Sequence, residues 1–152
     1  MRNDLIKGKT WIVWDGPAAT ATITIDTEES LNLNEQPIWP AHKRRVPAMY
    51  VRRVVVSRSH ARIGLGAGLL DWAADVARRD HAAAFIRVDV WTTNRDLHAY
   101  YEAQGFTRSE GRDPRELGDY PSQALFERDV RRPGSDYTKL FIEDNLSERK
   151  FS

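Results

Sequence analysis

The spacing of apolar side chains switches between two periods along the chain, and each switch marks an element. Residues 9–14 (Lys-Thr-Trp-Ile-Val-Trp) are β-branched and aromatic and predict a strand. Asp15-Gly16-Pro17 predicts a turn, and residues 19–26, alternating and rich in Thr and Ile, predict a second strand that closes an antiparallel hairpin. Residues 49–56 (Met-Tyr-Val-Arg-Arg-Val-Val-Val) predict a third strand, whose near-continuous apolar end implies burial on both faces. From residue 65 the period lengthens. Leu65, Leu69, Trp72, Ala73 and Val76 share one helical face, and Asp71, Asp75, Arg78 and Arg79 lie largely off it. This amphipathic helix ends near Asp80-His81. Residues 84–91 (Ala-Phe-Ile-Arg-Val-Asp-Val-Trp) return to strand character. Strand, helix, strand at this spacing is a βαβ unit, so its two strands run parallel.

Asn94 is a good cap for a further helix, which runs to about Gln104 and stops at Gly105. Phe106 opens a short strand, and residues 122–130 close the core with another. Between them, residues 111–121 are rich in turn formers: Asp113-Pro114, Gly118 and Pro121. Residues 27–48 are polar, carry Pro37, Pro40 and Pro47, and predict a long loop of the kind that is often functional. Trp39 within it reads first as a cap on the core and second as the wall of a substrate mouth. From residue 131 the chain is a polar tail with room for a short helix over 136–145. The order β-β-loop-β-α-β-α-β-β gives one domain over residues 1–130, with 131–152 as its tail. The class is α/β (α+β), a mixed central sheet flanked by helices.

Composition narrows the picture further. The 152 residues are 41% apolar and 30% charged, as in an ordinary soluble domain. No apolar run is long enough for a membrane span, and the polar N-terminus is unlike a signal peptide, so no membrane partner and a cytoplasmic location are expected. With no cysteine, thiol nucleophiles and Cys-ligated metals are excluded. The four histidines show no metal-ligand spacing, so no metal is expected. A net charge of +1 argues against a nucleic-acid partner. The basic run His42-Lys43-Arg44-Arg45 is short and reads as a solvated loop.

The chemistry concentrates at Gly64-Leu65-Gly66-Ala67-Gly68, between the third strand and the first long helix. Glycines let the backbone approach a ligand closely, and the first turn of a helix offers unpaired N–H groups and partial positive charge. Together these form a phosphate cradle, with Arg58 and Arg62 within reach. The Lys-Ser/Thr pair of a nucleotide-hydrolysing P-loop is missing. The dinucleotide fingerprint fits poorly too, since position 69 is Leu and seven residues separate Val56 from Gly64.

From Val54-Val55-Val56 through Arg62-Ile63-Gly64-Leu65-Gly66-Ala67-Gly68, the chain resembles the coenzyme-binding motif of the GNAT acetyltransferases. That family carries Arg or Gln where Ala61 stands here, and Arg62 supplies the charge from the next position. A second stretch, Asn94-Arg95-Asp96-Leu97-His98-Ala99-Tyr100-Tyr101-Glu102-Ala103-Gln104-Gly105-Phe106, resembles the family's motif of an Asn before a helix ending in Y-E-x-x-G-F. The resemblance spans roughly residues 5–130.

The resemblance implies acetyl transfer from acetyl-CoA to a primary amine of a small molecule or peptide. The backbone of Val54, Val55 and Val56 would pair with the pantetheine arm. Arg62, Ile63, Gly64, Leu65, Gly66 and Ala67 would hold the diphosphate. Asn94 would bond a pantetheine amide, a role compatible with capping the helix. Tyr101 would protonate the departing thiolate; a packed aromatic is the alternative role, and Tyr100 the alternative acid. The general base stays open among Asp89, Glu28, Glu29, His98 and water. Asp89 is equally a candidate ion-pair partner for Arg53 or Arg87.

The full family fold starts with a strand and two helices before the hairpin, and by that comparison the residues before Trp11 are expected to supply only the end of the second helix. An apolar surface uncovered there would favour a homodimer, and the tail at 131–152 could substitute for it. The second functional reading is a CoA-binding regulatory or partner module without its own acetyltransferase activity. The acceptor is left to the 27–48 and 111–121 loops.

Overall fold

A computed structural model of the protein describes residues 9–29, 36–57, 65–132 and 141–144. Seven strands form one mixed sheet. In chain order the elements are β1 (Lys9–Asp15), β2 (Ala18–Asp26), α1 (Ala41–Arg44), β3 (Ala48–Val56), α2 (Leu65–His81), β4 (Phe85–Val90), α3 (Arg95–Ala103), β5 (Thr107–Ser109), α4 (Pro114–Leu117), β6 (Ala124–Asp129) and β7 (Phe141–Asp144). Across the sheet they run β5-β6-β4-β3-β2-β1-β7. The expected hairpin is present, with Lys9 opposite Ile25 and Asp15 opposite Ala18. Gly16 makes its turn at φ 59, where a side chain would be strained. The expected βαβ unit is present too: β3 and β4 pair in parallel and α2 packs between them.

Two expectations are corrected. Residues 141–144, inside the stretch read as helix, form a strand antiparallel to β1, with Trp11 opposite Asp144 and Trp14 opposite Phe141. The outer edge of β1 offers unpaired backbone groups, and pairing there outweighs the weak local helix preference of the tail. The long loop also contains α1, and the 111–121 loop contains α4, each a single turn.

The second correction concerns the apolar end of β3, which is not buried on both faces. Val55 is 58% exposed. Val54 and Val56 are half-buried, packed against the core on one face only. The cause lies in the register with β2. Thr24 pairs with Arg53 and Ile25 with Val51, so Arg52 is an extra residue in a β-bulge. The bulge reverses the alternation of side chains. Met49 and Val51 before it, and Val54 and Val56 after it, all face the same core.

That core lies under α2 and α3. Leu69, Leu70, Ala73 and Ala77 of α2 pack on Ile23, Ile86 and Val88, and Tyr101 of α3 joins them with Phe106 and Phe126. A smaller core lies on the opposite face and holds Ile38, Trp39, Tyr50, Leu117 and Leu125. Trp39 is fully buried there, as the reading of it as a core cap expected.

Each face also carries a buried charge. On the α2 and α3 face, Arg128 donates from Nη2 to Asp71 of α2 at 2.5 Å and from Nη1 to the Gln104 carbonyl after α3 at 3.3 Å. On the other face, Arg87 is 0% exposed. It donates to Glu127 at 3.0 Å, to the Lys43 carbonyl at 2.9 Å and to the Tyr50 hydroxyl at 3.1 Å. Its guanidinium lies 4.7 Å from the Trp39 ring centre. Removing one member of such a pair strands the other charge in the interior. Asp71→Ala should therefore lower stability to urea by about 3 kcal/mol, and Asp71→Leu combined with Arg128→Met should recover most of that loss. A single-variant loss within error of zero would show that the pair is solvated.

Candidate active site

The parallel pairing of β3 and β4 is short. Ala48 faces Phe85, Met49 faces Ile86, Tyr50 faces Arg87, and there the ladder ends. Past that point β3 stays with β2, through Ile23–Val54, Thr22–Val55 and Ala21–Val56. Meanwhile β4 stays with β6 as far as Val90 opposite Ala124. The bulge at Arg52 falls where the two strands part. On the side facing β4, Val54, Val55 and Val56 therefore present ladder groups with no strand to receive them among the described residues. Such an edge accepts an extended ligand that carries amides.

The gap meets the start of α2 at one end. Leu65 is buried, and Gly66 and Ala67 are half-buried in the first turn. A Cβ on Gly66 would stand 2.5 Å from the Tyr100 hydroxyl and 3.9 Å from a Val56 methyl. Three elements thus converge at Gly66, where a side chain would have to displace the Tyr100 hydroxyl. Arg58, Arg62, Ile63 and Gly64, the remaining predicted cradle residues, lie outside the described residues.

The other end is organised by α3. Asn94 caps it, its Oδ1 accepting from the Leu97 amide at 3.1 Å. The side-chain amide nitrogen of Asn94 takes no part in that cap. Consecutive helical residues point about 100° apart, and the two tyrosines use that divergence. Tyr100 turns toward Gly66 and α2. Tyr101 is 8% exposed and packs edge-on against Phe106 at 5.2 Å between centres, with Phe126 stacked at 6.4 Å. Burial pushes the Tyr101 phenol up to about 12, with smaller contributions from Tyr100 and the Asp89 charge.

Asp89 lies on β4 two residues past the last β3 pair and accepts from the Ser122 hydroxyl at 2.7 Å. Tyr120 lies close enough to feel the charges of both Asp89 and Arg52, and burial is the first cause of its raised pKa. Ser122 and Tyr120 had no sequence signal, since a lone hydroxyl at a strand start looks like any other. Of the alternative partners for Asp89, Arg87 binds Glu127.

The other candidate bases do other work. Glu29 accepts from the Trp39 amide at 2.8 Å and pairs with Arg44 at 3.4 Å. Burial, its largest influence, raises its pKa. Glu28 is exposed just beyond β2. His98 is bonded through Nε2 to the Trp91 carbonyl at 3.0 Å.

The two loops nominated for acceptor choice lie together on the face opposite α2. Arg112 donates to the Pro37 carbonyl at 2.6 Å. Leu117 and Tyr120 share the smaller core with Ile38 and Trp39. Beside them a cleft is lined by Thr92, Ser109, Gly111, Arg112, Pro114 and Gln123. The basic run is largely neutralised: Lys43 pairs with Glu127 at 2.8 Å, Arg44 with Glu29, and the His42 ring lies 3.7 Å from Glu110. Among the described residues no helix is long and apolar enough to cross a membrane, and no group of three metal-ligating side chains occurs.

A family model described as the acetyltransferase (GNAT) family matches residues 3–106. No curated protein matches the sequence. Solved structures match the fold. A GNAT-family acetyltransferase from Listeria monocytogenes is 21% identical over 74% of this chain, with a TM-score of 0.57. This chain spans 58% of that protein's length. The Bacillus subtilis acetyltransferase solved in complex with CoA is 13% identical over 84% of this chain and 80% of its own, with a TM-score of 0.60. The putative acetyltransferase YncA from Salmonella typhimurium, solved with its cofactor acetyl-CoA, is 16% identical over 89% of this chain and 72% of its own, with a TM-score of 0.55.

The Tyr101 environment makes a measurable claim about alkaline pH. The unfolded phenol ionises near roughly 10, and the folded one holds its proton to about 12. Its contribution is therefore complete below pH ~10 and is lost as pH climbs from there toward 12. A phenolate-absorbance titration should show one late component near the upper end of that window, absent from Tyr101→Phe. A late component that persists in the variant would belong to another tyrosine.

Proposed function

The chain belongs to the acetyltransferase (GNAT) family, and from that membership we propose that it transfers acetyl from acetyl-CoA to a primary amine. The observation that carries the reading is the gap between β3 and β4, which among the described residues leaves one edge of Val54, Val55 and Val56 without a ladder partner. Acetyl-CoA would supply an activated thioester on an extended arm whose amides match such an edge.

The chain's own groups divide the remaining work. Backbone N–H groups along residues 54–56 hold the arm and, aimed at the thioester carbonyl, stabilise charge developing on its oxygen. The start of α2, with Leu65, Gly66 and Ala67, faces the diphosphate with helix N–H groups and partial positive charge. On our reading Arg62, Ile63 and Gly64 complete that cradle. The amide nitrogen of Asn94, left over from the cap, donates to a pantetheine carbonyl.

We assign the acid to Tyr101 and the base to Asp89. A phenol held near 12 arrives protonated at any physiological pH. A thiolate leaving into the same dry cleft is itself made more basic by desolvation, so the two acidities rise together and transfer stays feasible. Tyr101, unlike Tyr100, feels the Asp89 charge, which supports it over Tyr100. Asp89 lies beside the gap, with Ser122 orienting its carboxylate. An incoming ammonium would give its proton to that carboxylate directly or through one water. The free amine then attacks the carbonyl, the C–S bond breaks and sulfur takes its proton from Tyr101, while the nitrogen sheds its second proton, which returns through solvent to the Tyr101 phenolate. The acceptor, a small-molecule or peptide amine, would enter from the face where the 36–48 and 111–121 segments pack together.

Release of free thiol from acetyl-CoA in the presence of a panel of amines tests the activity. Tight CoA binding with no thiol release across the panel would leave the regulatory-module reading standing instead. Tyr101→Phe should lower kcat about 100-fold, the usual worth of a positioned acid, without changing acetyl-CoA affinity. Unaltered kcat would remove the acid role. Asp89→Asn should reduce kcat by a similar factor at fixed coenzyme affinity. Full activity in that variant would move the base to water or to a residue outside those described.

A further inference from the structure

Among the described residues two large apolar side chains are exposed: Val55 at 58% and Trp91 at 60%. One such residue alone needs no explanation, but two that border one opening do. The last parallel pair before the gap is Tyr50 with Arg87. Trp91 comes four residues after Arg87, and Val55 five after Tyr50, one of them the extra residue of the bulge. The two therefore stand level, one on each side of the gap. They also share a face. Val54 and Val56 pack into the core under α2 and α3, so Val55 points the opposite way. Val88 and Val90 pack into that same core, so Asp89 points the opposite way too, and Trp91 is the next position of that parity. The Trp91 main chain is fixed where it stands. Its carbonyl accepts from the Asn94 amide at 3.0 Å and bonds the His98 ring at 3.0 Å.

We propose that Val55 and Trp91 form an apolar clamp for the acceptor, and that the acceptor is a small primary amine carrying an aromatic or other apolar group a short alkyl link from its nitrogen. This names the substrate class of the site described above and rests on the acetyl-transfer reading. Strand rise sets Trp91 roughly 6.5 Å beyond Asp89. An ammonium drawn to the Asp89 carboxylate therefore has its apolar group carried outward, by a short link, to the level of the valine and the indole. An aromatic group there gains both covered apolar area and ring-to-ring contact. Tyr120 adds a third apolar surface nearby: its ring packs on the smaller core, close enough to Asp89 and Arg52 to feel both charges. The Arg52 charge is offset by Asp26 at 3.2 Å. A second ammonium at the level of the clamp would meet Val55, which offers a charge no partner.

The test compares thiol release from acetyl-CoA with four amines: 2-phenylethylamine, 2-methoxyethylamine, 1,4-diaminobutane and β-alanine. The last is included because Arg53 shares the outer face of β3 with Val55. In the unaltered protein kcat/KM for 2-phenylethylamine should exceed that for 2-methoxyethylamine by about tenfold, as expected for covering half of an aromatic ring. In Trp91→Ala this ratio should fall to near unity, and in Trp91→Phe most of it should return. Because each ratio is taken within one protein, a general loss of activity or stability cancels from it. A ratio that Trp91→Ala leaves unmoved would overturn the proposal, as would a preference for 1,4-diaminobutane or β-alanine over 2-phenylethylamine; acetyl transfer would stand in either case. Release with other amines but with none of these four would also overturn this proposal alone. No release with any amine would remove the acetyl-transfer reading and the clamp together.

Discussion

The structure turns on a strand pair that stops early. Parallel ladders normally persist because each added residue satisfies backbone groups that otherwise lack partners. Here β3 and β4 share three residues and then separate, each retained by its antiparallel neighbour on the far side. The bulge at Arg52 is what makes the separation tolerable. It adds local twist to β3 and reverses its side chains, so Val54 and Val56 still reach the core although the strand has left its partner. Without the reversal, these two valines would point to the opposite face and Arg53 and Val55 would be driven toward the core under α2.

Separated strands must be held apart as well as left unpaired, and the two buried arginines serve that end from opposite faces. Arg128, on β6, fixes α2 through Asp71 and the end of α3 through the Gln104 carbonyl. These are the two helices that flank the gap. Arg87, on β4, ties the end of α1 and Tyr50 of β3 to Glu127. It acts at the last residue pair before the strands part. Buried pairs of this kind seldom add much net stability over apolar packing, but they are unforgiving of displacement. On that argument their contribution is geometric: each sets the separation of elements that line the gap.

Much of this was legible in the sequence because it depends on local chemistry. The hairpin follows from alternation and a glycine turn, the βαβ unit from two strands around a 3.6-residue period, and the second helix from Asn94 and Gly105 at its ends. The packing of Trp39 was legible too, since few surfaces accept an exposed indole. What escaped is what depends on partners distant in sequence. Nothing local distinguishes three valines buried on both faces from three valines beside a gap. A bulge at Arg52 is a property of the β2 register, and the 141–144 strand exists because β1 offers an edge. Ser122 became interesting only when the sheet set it against Asp89. The Gly66 position shows both limits. Its need for a small residue was readable, but the Tyr100 hydroxyl that imposes it comes from a helix 34 residues later.

Adjacent tyrosines on a helix leave two phenols open for the role that a motif gives to one of them. Both phenols are partly or wholly removed from water, and both hold their protons more tightly than a free phenol. Acidity therefore does not separate them. Contacts do: the Tyr100 hydroxyl meets Gly66 at the start of α2, whereas Tyr101 packs against Phe106 and Phe126. A general acid must reach the atom that gains charge, whereas an anion ligand must be met where helix amides already converge. Tyr101, the phenol that feels the Asp89 charge, is therefore the one our proposal gives the acid role.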